Sequence, residues 1–180
     1  MLFRSARAES GHTSIARAPC NMVELAQSVI QDSLPLAMEK HIDLGYEGVS
    51  ADSRGVRVLG NATLLKELIR NLVDNAMNYT PSCAESPGVI TVRVLSDTAG
   101  KVVALQVEDS GPGIPTTERE QIFQPFYRAL GTEVDGSGLG LAIVMEVAQL
   151  HDATINVQEA APGKPNPGAS FTVRFQHTLA

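Results

Sequence analysis

The sequence predicts an α+β fold: a two-layer sandwich in which a mixed sheet of about five strands is covered on one face by three helices. Long segments repeat apolar residues at helical spacing, and shorter β-branched segments alternate or run apolar between turn residues. The strands arrive in pairs more often than they alternate with helices, which favours a mixed sheet over a doubly wound parallel one. At 180 residues and 43% hydrophobic composition, the chain can bury one proper core.

Residues 1–18, rich in Ala, Arg and Ser, read as the frayed end of an upstream helix followed by a linker, and residues 19–180 as the compact domain. "MVELAQSVIQDSLPLAMEK" carries apolar residues at 22, 25, 26, 29, 30, 34 and 37, a helical period in which Pro35 marks a kink or break. "HIDLGYE" and "VRVLG" read as strands. "NATLLKELIRNLVDNAMNY" is the strongest helix: Asn61 can cap it, and Leu64, Leu65, Leu68, Leu72, Val73 and Ala76 form one apolar stripe. "VITVRVLS" and "KVVALQVED" are neighbouring strands joined by the turn "DTAG". "TTEREQIFQPFYRAL" opens with a capping box, Thr116 or Thr117 ahead of Glu118–Glu120, and predicts a short helix. "LAIVMEVAQLH" is a further helix, and "ATINVQEA" with "ASFTVRFQ" a closing hairpin.

Composition excludes several classes. The formal net charge of −6 offers no basic surface to nucleic acid. Cys20 and Cys83 form neither a CxxC nor a disulfide framework, which fits a reducing, cytoplasmic setting. No apolar run approaches the roughly 20 residues that span a bilayer.

Chemistry concentrates in three segments. In "VDGSGLGLAIV", Gly136, Gly138 and Gly140 alternate ahead of an apolar helix. The lysine of a P-loop is absent, and the preceding segment is no strand, as a dinucleotide fingerprint requires. What survives is a helix start with unshielded N–H groups, which is either an anion site or merely a flexible helix entry. In "VEDSGPGIP", Asp109 shares one face of its strand with Val103, Leu105 and Val107. Such a carboxylate needs a donor, either a ligand amine or its own backbone at Ser110–Gly111. In "ELIRNLVDNAMNY", Glu67, Asn71 and Asn75, followed by Asn78 and Tyr79, run beside the apolar stripe. This polar edge is either a solvated face or a source of hard oxygen ligands for Mg²⁺ and donors for phosphate.

In order and spacing, "ELIRNLVDNAMNYTP", "VEDSGPGIP", "IFQPFYR" and "GSGLGLAIV" resemble the N, G1, F and G2 boxes of the catalytic ATP-binding domain (HATPase, GHKL) of bacterial sensor histidine kinases in two-component systems. The resemblance covers roughly residues 20–176 and implies the Bergerat ATP-binding fold shared with gyrase, Hsp90 and MutL. It implies ATP and Mg²⁺ as cofactors, with Asn71 on the metal and Asn75 on metal or phosphates. Tyr79 would border the nucleotide, Asp109 would bind the adenine amine, and Gly111 and Gly113 would line its pocket. Phe123 and Phe126 would anchor the lid, and Arg128, catalytic together with Asn71, would reach the terminal phosphates. Gly136, Ser137, Gly138, Leu139 and Gly140 would form the phosphate loop. Many relatives carry a base where this chain has Asn78, so one phosphate-binding cation is missing there and weaker ATP affinity is expected. "HDA" at 151–153 replaces the relatives' "HGG".

ATP-hydrolysing relatives place a glutamate four residues before the metal-binding asparagine; counted from Asn75, that position holds Asn71, whose amide is no general base. This favours donation of the γ-phosphoryl group to a histidine on a separate dimerisation domain, over the alternatives of a GHKL ATPase or an anti-sigma-type protein serine kinase. His12, His41, His151 and His177 lie in no "H-E-x-x-x-P"-like segment, so the chain alone is not expected to autophosphorylate. The partners implied are that dimerisation domain and a cognate response regulator. The resemblance further implies a monomeric isolated domain, and a homodimeric full-length protein in the bacterial inner membrane.

Overall fold

The structure, a computed structural model, describes residues 15–97, 101–127 and 137–176. Strand β1 (Ala18–Asn21) leads directly into helix α1 (Met22–Glu39). Strands β2 (Ile42–Gly48) and β3 (Arg57–Gly60) precede helix α2 (Ala62–Tyr79). Strands β4 (Gly88–Ser96) and β5 (Val102–Asp109), helix α3 (Gly140–Leu150), and strands β6 (Thr154–Glu159) and β7 (Ala169–Gln176) complete the order.

The main sheet has five strands in the order β2-β4-β5-β7-β6, with β2 parallel to β4 and the other pairs antiparallel. It is the mixed, one-face-covered sheet that the paired strands predict. One segment departs from that expectation: β3 joins no main-sheet strand but pairs with β1 in a separate two-stranded ribbon. Alternation in the sheet decides which face is covered. Ile90, Val92, Val94, Val103, Leu105, Val107, Phe171, Val173 and Phe175 are buried under the helices, while Arg93, Gln106 and Glu108 of the opposite face bond one another across strands.

Helix α1 begins at Asn21, whose Oδ1 accepts from the amides of Val23 and Glu24, and it runs through Pro35 without a break. Asn61 caps α2 as its sequence predicts, accepting from the Leu64 amide at 3.1 Å. The expected helix over 116–130 is not formed in the described residues: a run of turns leads only to a 3-10 turn at Gln121–Phe123, with no side-chain cap. The competing feature is Ile122, whose burial, with the half-buried Phe123 beside it, anchors this short turn to the core while Gln121 and Gln124 stay open to solvent. The turn residues 98–100 and the stretch 1–14, including His12, lie outside the described residues, as do 128–136 and His177.

His151 locks the far ends of α2 and α3 together. Its Nδ1 donates to the Val147 carbonyl at 2.8 Å, and its Nε2 accepts from the Asn61 amide at 3.0 Å, at the start of α2. Because a backbone amide can only donate, Nε2 must be unprotonated. Burial pushes the imidazole below its ordinary value of 6.5, and the nearby Arg17 acts in the same direction against the Val147 bond and Asp152. The unfolded chain therefore takes up this proton more readily than the native one. The contribution of His151 is whole above pH 6.5 and is lost as pH falls through the lowered native value. Between about pH 7.5 and about 5.5, the melting temperature should fall more steeply for the unchanged chain than for His151→Gln, whose amide oxygen can still accept without titrating. Parallel thermal melts across that range test this, and equal slopes would contradict it.

Candidate nucleotide site

A cavity of about 390 Å³ opens between α2, the end of β5 and the start of α3. Its wall along α2 is Asn71, Asp74, Asn75 and Asn78, spaced so that all four project from one helical face. The opposite face of α2 is the stripe buried at Leu65, Leu68, Leu72, Val73 and Ala76, so core packing alone aims the polar edge into the cavity. The Nδ2 of Asn71 is tied back to the Glu67 carbonyl at 2.9 Å and reaches the Glu67 carboxylate at 3.5 Å. Its Oδ1 then faces α3, where a Cβ on Gly140 would stand 3.1 Å from it.

Asp109 closes the inner end. Only 9% exposed, it lies on the buried face of β5 with Val103, Leu105 and Val107, as their shared parity predicts. Its Oδ1 accepts from the Gly111 amide at 2.8 Å and the Ala169 amide at 3.2 Å. The backbone answer to the donor question holds. The carboxylate bonds its own turn through one oxygen, and Oδ2, with no hydrogen bond among the described residues, is left for the cavity that Asp109 lines. Burial pushes the carboxyl up, and Glu108 adds to this, while the two backbone donors hold it down.

At the outer end, α3 begins at Gly140 with no side-chain cap. Ser137, Gly138, Leu139 and Gly140 line the cavity, so the free amides of a first helical turn border it. Gly138 holds φ +69° against the Phe126 backbone and accepts from the Phe126 amide at 2.9 Å.

The cavity gathers Asn71, Asn75, Asn78, Tyr79, Asp109 and Gly113 with that loop. It does not gather all the expected residues. Gly111 stands behind Asp109, fixed by its amide bond to Oδ1. Phe123 turns into the core edge-on to Phe171, ring centres 6.3 Å apart. Phe126 is 73% exposed, and its backbone amide bonds the loop at the Gly138 carbonyl. Arg128 and Gly136 lie outside the described residues. Sequence reasoning missed Asp74, Glu118, Ile122, Tyr127 and Ala169 in the wall. Asp74 was legible, three residues after Asn71 on the same face; the Ala169 amide was not, since a backbone donor 60 residues from its acceptor leaves no side-chain signal.

No group of three or more His, Cys, Asp or Glu suited to a metal occurs among the described residues. A cation here would rest on asparagine oxygens and on the oxygens of its ligand, and that donor set suits Mg²⁺.

The profile of the histidine kinase-, DNA gyrase B- and HSP90-like ATPases matches residues 60–179. The chain belongs to this family. PmrB, a sensor protein kinase of Pseudomonas aeruginosa, is 35% identical over 147 residues, which cover 81% of this chain and 28% of PmrB. The histidine-protein kinase/phosphatase MprB of Mycobacterium leprae is 34% identical over 160 residues, 88% of this chain and 28% of MprB. The chain thus spans about 28% of the length of these curated relatives. A solved structure of a mycobacterial sensor histidine kinase MprB matches with TM-score 0.76 and 27% identity, covering 91% of this chain and 99% of that one. The catalytic domain of the histidine kinase ThkA matches with TM-score 0.74 and 26% identity, covering 92% and 100%. Among these ATPases the chain is of the sensor-kinase catalytic kind that its four boxes resemble. No described helix is long and apolar enough to cross a membrane.

Gly138 offers a test of the loop. A Cβ there would stand 2.9 Å from the Phe126 Cα, in a backbone region that side chains avoid. Gly138→Ala should cost about 1–2 kcal/mol of stability in urea unfolding and weaken nucleotide binding. Gly163→Ala is the control: its φ of +82° is similar, but nothing lies within 4 Å. It should pay the backbone cost without the loss of binding.

Proposed function

We propose that the chain binds Mg-ATP in this cavity and donates the γ-phosphoryl group to a histidine on a separate dimerisation domain, within a two-component pathway that continues to a response regulator. The observation that carries the reading is the convergence of Asn71, Asn75, Asp109 and the uncapped start of α3 on one cavity.

The Asp109 Oδ2 accepts the adenine amine while Oδ1 stays bound to the Gly111 and Ala169 amides, which fix the carboxylate plane. The amides of Gly138, Gly140 and Leu141 would serve the phosphates, the Leu139 amide being bound to the Ser137 Oγ, and the positive end of α3 favours their charge. Asn71 Oδ1 and the Asn75 amide would hold the cation, the former oriented by its bond to Glu67. Magnesium, when bound, would supply positive charge that offsets the charge of the phosphates. What remains for the protein is positioning, with Arg128 assigned to the terminal phosphates by resemblance. Water activation has no support at position 71, where the side chain is an amide, and Glu67 is spent on that amide and stands outside the cavity wall.

Asp109→Asn keeps an acceptor for both backbone amides but turns an NH₂ donor toward the adenine amine. ATP affinity should fall about tenfold or more, with little change in melting temperature. Unchanged affinity in a calorimetric titration would remove the adenine from Asp109. For the reaction itself, the chain is mixed with labelled ATP and a separately supplied dimerisation domain. Acid-labile label on the added domain supports histidine transfer. Acid-stable label on a hydroxyl, or phosphate release without transfer, would replace it with one of the alternatives.

A further inference from the structure

The cavity is poorly matched in charge to a triphosphate. Its charged lining residues among those described are Asp74, Asp109 and Glu118, all acidic, and no described lysine or arginine lines it. Most described bases near α2 and the cavity are committed elsewhere. Lys66 and Arg70 both pair with Asp32, at 3.0 and 2.9 Å. Arg119 bonds the Ile114 carbonyl and stands 3.7 Å from Glu159.

Lys40 differs. It closes α1, its amide donating to the Leu36 carbonyl, so its backbone position is fixed by the helix end. Its ammonium reaches across to α2 and donates to the Asn78 Oδ1 at 3.4 Å, its one hydrogen bond among the described residues. Asn78 lines the cavity one turn from Asn75. We propose that Lys40 is a phosphate-binding residue, a cation delivered from α1 to the rim at Asn78, where it attracts the phosphate chain of the nucleotide. The proposal rests on the reading of the cavity as an ATP site. Asn78 is then the post that steers the ammonium: its Oδ1 takes one of three N–H donors and leaves two for phosphate oxygens. A lysine is suited to this as a flexible point charge that can follow the phosphates.

The test is calorimetric titration of the chain, with Mg²⁺, against ATP and, by competition, adenosine. Lys40→Ala should weaken ATP about two- to fivefold, the scale of an exposed ion pair. Lys40→Glu should weaken it further, Lys40→Arg should stay within about twofold of the unchanged chain, and adenosine should bind all of them alike. The loss should shrink at about 0.5 M salt. Equal losses for ATP and adenosine would make Lys40 merely structural and overturn the proposal. Unchanged ATP affinity in Lys40→Glu, with normal binding by the unchanged chain, would overturn the role of Lys40 and leave the ATP site standing. No ATP binding by the unchanged chain would overturn both.

Discussion

Helix α2 has to satisfy two environments along its whole length, and much of the structure follows from that. One face buries Leu65, Leu68, Ile69, Leu72 and Val73 completely, and the other presents Asn71, Asp74, Asn75 and Asn78 to the cavity. Each fully buried leucine is worth about 1.5–3 kcal/mol relative to exposure. Rotating the helix to hide its polar edge would forfeit several of these at once, and no hydrogen bond at the edge could offset that. The core therefore holds the binding edge in place, and the site spends little of its own interaction energy on orientation.

Both ends of α2 are pinned as well. At its start, the Asn61 side chain caps the helix while the Asn61 amide is bound by His151 beyond the end of α3. The preceding segment joins the same junction: Arg17 bonds the Leu150 carbonyl and Asp152, and the Ala16 carbonyl accepts from Asn61. At its other end, Tyr79 reaches the turn that holds Asp109, where a Cβ on Gly111 would stand 2.7 Å from the Tyr79 carbonyl. The spacing between the Asn71 amide and the Asp109 carboxylate is thus set by one rigid rod clamped at both ends.

What the sequence made legible was what side-chain periodicity and local chemistry encode. The stripe of α2, the parity that buries Asp109 and the hairpin of β6 with β7 needed no partner to be read. Ribbon β1–β3 was not legible as such, because pairing across 35 intervening residues leaves no local mark and Ala18–Asn21 is too short to show alternation. The helix expected after Thr116 failed for a related reason. Its capping residues were right for a helix, but Pro125 and the burial of Ile122 favour a single tight turn. In the site, the asparagines and Asp109 announced themselves, whereas the Ala169 amide and the aromatic and apolar wall came together only through the sheet order.

The same clamp bears on what the domain can do with a triphosphate. A hydrolase needs a base beside the attacking water, and the fold supplies at position 71 only an amide, with Glu67 held behind it. The nearest carboxylates in the wall serve other geometry: Glu118 accepts from the Tyr127 hydroxyl and Asp109 binds two backbone amides. Asp74 is pushed up by burial and by Glu67, with Arg70 opposing, so it gains basicity, but it enters the wall beside the asparagines where phosphate charge would gather. An anionic base there would have to approach an anionic ligand. A nucleophile that arrives neutral from outside, such as an imidazole, meets no such repulsion. Under the proposed transfer to a histidine, no anionic base from this wall has to approach the phosphates.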